Sequence, residues 1–169
     1  MSFFPYFPSF LTAAWEALND GTIDMIASDH SPYVREEKAT DENIFSCGSG
    51  MPGIETLRPL MIDAVNKKRM RLKRLVETTS VNPAKRFSLS QKGRIALNAD
   101  ADLAIIDMKK EHTLKNENML TEQKITVFDG KKIKGAVETT IVRGKIVYDN
   151  GEFFVNKGYG EFIRGNKNS

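Results

Sequence analysis

A chain of 169 residues with 40% apolar content can bury one or two cores, but it is shorter than the roughly 200 residues that a complete (β/α)8 barrel needs. Its 25 Lys and Arg against 22 Asp and Glu leave a net charge of +3 spread along the chain, which argues against a dedicated polyanion binder. The single cysteine, Cys47, excludes an internal disulfide framework and a cysteine-built zinc site and fits a reducing cytoplasm, and no apolar run reaches membrane-spanning length.

The opening Met1-Ser2-Phe3-Phe4-Pro5-Tyr6-Phe7-Pro8 lacks the positive start of a signal peptide and reads as a junction rather than a natural domain start. Ser9 as a cap, then Phe10, Leu11, Ala14, Trp15 and Leu18 at helical spacing, predict a helix that stops at Asp20-Gly21. Residues 21–27 are an apolar run opened by a turn glycine and predict a buried strand reaching Ser28. Asp29 and His30 follow at its C-terminal end, and Pro32 stops the sheet. In a parallel α/β barrel that end of a strand is where catalytic groups project from a rigid scaffold. An Asp there can ligate a metal or take a proton from metal-bound water. It can equally be a surface residue capping the next turn.

Residues 29–53 form a long loop carrying Arg35, Glu36, Glu37 and Lys38, then Gly48, Gly50 and Gly53, a length that points to function or mobility. A second helix is expected from Ile54 to about Lys68, with Leu57, Leu60, Met61 and Val65 on its buried stripe. A third, about Leu72 to Thr79, is closed at Val81-Asn82-Pro83. The basic run over residues 66–74 raises nucleic-acid binding, but the interleaved Leu72, Leu75 and Val76 make it the wet side of an amphipathic helix. From Gly93 the spacing predicts short strands at 93–95, 102–107, 137–142 and 145–148, with Arg143-Gly144 as a tight hairpin turn and one face of the sheet solvated. Residues 108–134 read as polar and irregular, with His112 a solvated histidine, and the tail from 161 as flexible.

Several of these stretches together resemble the cyclic amidohydrolases, the family of dihydroorotases, allantoinases and hydantoinases. They are residues 18–32, ending in Ser28-Asp29-His30-Ser31-Pro32, then Gly50-Met51-Pro52-Gly53-Ile54-Glu55-Thr56, then 79–87 with Asn82-Pro83-Ala84-Lys85. Lys92-Gly93-Arg94-Ile95 with 98–107, Phe128-Asp129-Gly130, and 140–147 complete the set, in the family's order and near its spacing from about residue 11 to 155. The resemblance implies an α/β architecture: residues 1–90 as the C-terminal portion of a (β/α)8 metal-dependent hydrolase barrel, 91–160 as part of a small β-sandwich, and 161–169 as tail. It implies that Asp29, at the end of the eighth barrel strand, binds zinc and carries a proton to the leaving amide nitrogen. It implies that Met51, Pro52 and Gly53 offer backbone groups to the flat ring of a cyclic amide, an approach that glycine and proline permit. His30 is read as packing or hydrogen-bonding beside the site rather than as a metal ligand. Asn82-Pro83-Ala84-Lys85-Arg86-Phe87 is read as a helix ending and Asp100 and Asp102 as turn residues.

The sequence also departs from the family. A His-x-His pair and further ligands are absent, the only histidines being His30 and His112, so a binuclear site cannot be completed from these residues. The expectation is a piece of a longer enzyme, or a chain needing a partner, inactive and at most weakly zinc-binding alone. Tyr33 stands where many dihydroorotases carry a histidine that binds the substrate carboxylate, and Tyr can donate a hydrogen bond but brings no imidazolium charge. The whole protein is expected to hold one or two zinc ions and open a small cyclic amide, dihydroorotate first, with allantoin or a hydantoin or dihydropyrimidine as the alternative. A cytoplasmic homo-oligomer without nucleic-acid or membrane partners is expected. A non-catalytic, dihydroorotase-like scaffold is the reading from another class.

Overall fold

A computed structural model describes residues 8–38, 43, 45 and 47–165; residues 1–7 of the expected junction and 166–169 of the expected tail lie outside the described residues. Helix α1, Pro8–Asp20, starts one residue ahead of the expected cap and ends where Gly21 takes φ +100. The chain then reaches a short helix α2, Arg35–Lys38, inside the long loop. Helix α3, Ile54–Asn66, and helix α4, Leu72–Val76, follow. A π-helical turn over Glu77–Val81 leads without a break into α5, Asn82–Arg86. Strands β1 (Leu103–Thr113), β2 (Lys132–Val142), β3 (Lys145–Asp149) and β4 (Glu152–Phe153) form one antiparallel sheet in sequence order.

The core lies between α3 and the sheet and extends to α1 and α4. Leu18, Ile62, Met70 and Leu75 are buried together, with Trp15, Ile26, Ile106, Met108 and Val137 packed against them. Helix and sheet come close at Gly135, where an added Cβ would lie 2.1 Å from Ile62 Cγ2 and the backbone holds φ +101. Sheet and helix are also tied by polar bonds. Asn66 Nδ2 donates to the Met108 and Lys134 carbonyls at 3.0 and 2.8 Å, and the Lys134 N–H donates to the buried Asp63 carboxylate at 3.0 Å. Burying Asp63 is offset by Lys67, whose ammonium sits 2.6 Å away.

Several expectations need correction. No strand forms over residues 21–28: the Ile26 N–H donates to the Thr78 carbonyl, Arg74 takes the Ile23 carbonyl, Asn82 takes that of Asp24, and the nearest pairing is an isolated parallel bridge between His30 and Met51. A parallel strand needs neighbours to accept its ladder, and among the described residues side chains and a helix carbonyl fill that role. No strand forms at 93–95 either, because Gly93 (φ +77) runs against Ser80 and Ala84, where a Cβ would meet both at 2.7 Å. Conversely β1 and β2 continue through the polar stretch expected to be irregular, as Asn66 and Asp63 hold the register shift between Asp107 and Glu111. Pro83 does not close the third helix. It sits in the first turn of α5, where its missing N–H is tolerated. The most buried side chain of α3 is Ile62, with Thr56, Asp63 and Ala64, so the buried stripe is rotated from Leu57 and Leu60 toward the sheet.

The turn chemistry matches expectation. Val142 pairs with Lys145 across Arg143 (φ 50) and Gly144 (φ 79), the two left-handed positions of a type I′ hairpin. Asn150 and Gly151, at φ 47 and 101, repeat the device between β3 and β4.

Candidate functional site

The residues singled out around Asp29 are drawn together at the N-terminus of α3. His30 Nδ1 accepts the N–H of Gly53 at 3.1 Å and that of Ile54 at 3.3 Å, and so caps the helix whose own N-cap residue, a glycine, has no side chain to do it. A ring nitrogen that accepts carries no proton, so the neutral ring's hydrogen is on Nε2. The Ser31 N–H donates to the Met51 carbonyl at 3.1 Å. Gly53 is obligatory by close approach: a Cβ would stand 2.5 Å from the Ser28 carbonyl oxygen. Gly50 (φ +142) and Gly48 press in the same way on Ser31 and on the Tyr33 ring, with added Cβ atoms at 2.5 Å from each. The segment 28–33 and the loop 48–53 therefore form one surface, with Met51 half-buried and Pro52 buried.

Asp29 lies on that surface with an exposed side chain and a left-handed backbone, φ 45. Its carboxylate makes no hydrogen bond or ion pair with the described residues. A basic bowl elsewhere on the described surface is formed by Asn19, Lys68, Arg69, Arg71 and Arg74. No group of three or more His, Cys, Asp or Glu is arranged to hold a metal among the described residues. Asp29 can supply one carboxylate ligand, but the described residues do not make a metal site.

Residues other than the expected site residues hold this surface in place. Arg74, 14% exposed, donates from Nε to the Leu18 carbonyl and from Nη2 to the Ile23 carbonyl, both at 2.6 Å, while Nη1 pairs with Glu77 at 3.2 Å. Asn82 Nδ2 donates to the Asp24 carbonyl at 2.9 Å. Glu55, in the first turn of α3, accepts the N–H groups of Leu120 and Thr121, both at 2.7 Å, and the Thr121 hydroxyl. Burial pushes the Glu55 carboxyl up, but those bonds, with Lys124 nearby, hold it below the usual carboxylate value. Arg74 looks like one more cation in a wet run, and nothing in its spacing marks it. Asn82 belongs to a motif read as a helix ending, and its side chain serves the Asp29 segment as well.

His112 is away from this surface, on β1 and half-buried rather than solvated, with Nδ1 buried and without a partner among the described residues. Burial and Lys110 hold it below 6.5, with Asp63 acting in the opposite sense. Lys92 ties Asp100 and Asp102 together at 2.7 and 2.5 Å, and Asp102 accepts the Arg143 N–H at 2.7 Å, so these aspartates staple the turn before β1 to the hairpin.

With this geometry in place, residues 6–147 match the amidohydrolase family, and the chain belongs to it. It is 38% identical to an L-hydantoinase of Paenarthrobacter aurescens over 152 residues, covering 88% of this chain and 33% of that protein. It is 41% identical to a dihydroorotase of Pyrococcus horikoshii over 149 residues, again covering 88% and 33%. An L-hydantoinase structure from Arthrobacter aurescens superimposes with a TM-score of 0.86 at 36% identity, over 90% of this chain and 35% of that one. The chain thus spans about a third of the length of the relatives it matches. No helix among the described residues is long and apolar enough to cross a membrane.

Proposed function

We propose that the whole protein is a zinc-dependent hydrolase that opens the C–N bond of a cyclic amide, with residues 1–90 the closing part of a (β/α)8 barrel and 91–160 part of a small β-sandwich. The observation that carries this reading is the joining of Asp29 to Met51-Pro52-Gly53 through the His30 cap and the His30–Met51 bridge. A carboxylate beside a backbone edge can bind a planar amide and move a proton to its departing nitrogen. Asp29 is the acid–base group and one zinc ligand; the other ligands come from outside the described residues. Gly53 donates to His30, so the planar Pro52–Gly53 peptide turns the Pro52 carbonyl away from it, where it can accept from a ring N–H. The substrate favoured is dihydroorotate.

Tyr33 supports a second reading. Its uncharged ring, pressed on Gly48, offers no cation of its own to a substrate carboxylate, which suits allantoin or a hydantoin. Turnover of dihydroorotate, allantoin and hydantoin by the full-length protein separates the two. Asp29→Asn should lower kcat by at least about a hundredfold, the usual scale of general acid–base catalysis, with the far-UV spectrum unchanged. Retained turnover in Asp29→Asn, or inertness of the wild type toward all three rings, defeats the proposal.

A further inference from the structure

Among the described residues, the surface around Asp29 carries a cation, Lys38, that the proposed chemistry does not use. Lys38 ends α2, whose position is set by local bonds: the Val34 N–H donates to the Glu37 carboxylate at 2.9 Å, and the Gly48 N–H to the Glu37 carbonyl at 2.8 Å. From there the half-buried Lys38 ammonium reaches the Gly48 carbonyl at 3.3 Å and, more closely, the Gly50 carbonyl, and lies 5.6 Å from the centre of the Tyr33 ring. It makes no ion pair with a carboxylate among the described residues. Ordering a lysine costs up to about 2 kcal/mol of side-chain entropy, so two backbone carbonyls and a ring face are what repay it here.

The consequence follows from peptide planarity. Fixing the Gly50 carbonyl fixes the Met51 N–H on the opposite edge of the same plane, and Met51 is the residue bridged to His30. The next plane is held by Ser31, which donates to the Met51 carbonyl, and the one after Pro52 by His30, which accepts the Gly53 N–H. Without Lys38 the first of these three planes loses its carbonyl-side anchor, at a glycine (φ +142) that gives the backbone no restraint of its own, and keeps only the Met51 side of the His30 bridge.

We propose that Lys38 is a positioning residue that clamps the Gly48–Gly50 turn and the Tyr33 ring, thereby setting how Met51-Pro52-Gly53 meet the substrate ring. This rests on the cyclic-amide reading above for its kinetic part only. A backbone edge that binds ground state and transition state alike affects KM more than kcat. In the full-length protein, Lys38→Met should therefore raise KM about tenfold or more, the scale of one lost charged hydrogen bond, with kcat within about threefold. Lys38→Arg, which keeps charge and donors, should recover most of that loss.

Hydrogen exchange supplies a readout independent of turnover. The amides of Ser31 and Gly53 should exchange about tenfold faster in Lys38→Met and near the wild-type rate in Lys38→Arg, while those of β1 and β2 stay unchanged. Unchanged exchange at Ser31 and Gly53 in Lys38→Met overturns the clamp, whatever the protein hydrolyses. Equal loosening of β1 and β2 also overturns it, by showing a general structural role. If the wild type opens none of the rings, the cyclic-amide reading falls while the exchange experiment still decides on Lys38.

Discussion

Within the three antiparallel pairings of β1 to β4 the chain satisfies its backbone mainly with backbone, with Asn66 and Asp63 entering at the β1–β2 register shift and side chains such as Glu55 serving the loop between β1 and β2. Between Leu18 and His30 it does so largely with side chains: Arg74 on two carbonyls, Asn82 on a third, and a helix carbonyl at Thr78 on the Ile26 N–H. A ladder is cooperative and insensitive to any single side chain, whereas a stitched segment depends on each stitch. The difference places the proposed chemistry on the part of the fold that individual residues control.

Four substitutions sharpen that contrast. The largest effect is expected where the sheet meets α3. Gly135→Ala puts a methyl 2.1 Å from Ile62 Cγ2 on a left-handed backbone and should destabilise by roughly 3 kcal/mol in chemical denaturation. Gly144→Ala, left-handed at φ +79 but with nothing within 4 Å, should cost only about 1 kcal/mol; equal losses would mean that helix–sheet contact is not what demands Gly135. Next is Arg74→Met, which removes both 2.6 Å carbonyl bonds and should cost about 2–3 kcal/mol, with faster exchange at Ile26 but not in β2. Uniformly faster exchange would erase the distinction between stitched and laddered regions. The smallest effect is pH-dependent. His112 is held below 6.5 in the fold by burial and Lys110, so folding resists its protonation. Its stability contribution is complete above the unfolded value and declines as pH falls through that value toward the lower, folded one. His112→Gln should flatten the part of the stability loss on acidification below the ordinary histidine range that this imidazole contributes, read from denaturation midpoints; an unchanged slope removes His112 as its source.

Much of the sheet was legible because its signals are local. Gly144 and Asn150-Gly151 take the left-handed turns their residue types favour, and Leu103–Asp107 is the short apolar run that a strand predicts, with a register shift after Ile105. The continuation of β1 through Met108-Lys109-Lys110-Glu111-His112-Thr113 was not legible, because Asn66 and Asp63, distant in sequence, hold it. The resemblance singled out Asp29, Tyr33 and Met51-Pro52-Gly53, and the fold gathers them. His30, read as packing or hydrogen-bonding beside the site, accepts from Gly53 and Ile54, and what sequence reasoning missed is the pair of anchors Lys38 and Arg74. Their partners are main-chain atoms far along the chain, and a main-chain acceptor leaves no trace in residue identity.

Pro83 has an effect opposite to the one usually given to proline. In the π-helical turn the Asn82 N–H is spent on the Glu77 carbonyl, and the donor that would next serve Thr78 is the one Pro83 does not have. The Thr78 oxygen is thereby released to the Ile26 N–H, 52 positions upstream at 3.2 Å. Two stretches of the polypeptide would otherwise compete for one acceptor, and a missing hydrogen decides the contest. The height at which Ile26 docks, three residues before Asp29, is thus encoded by an atom the chain omits.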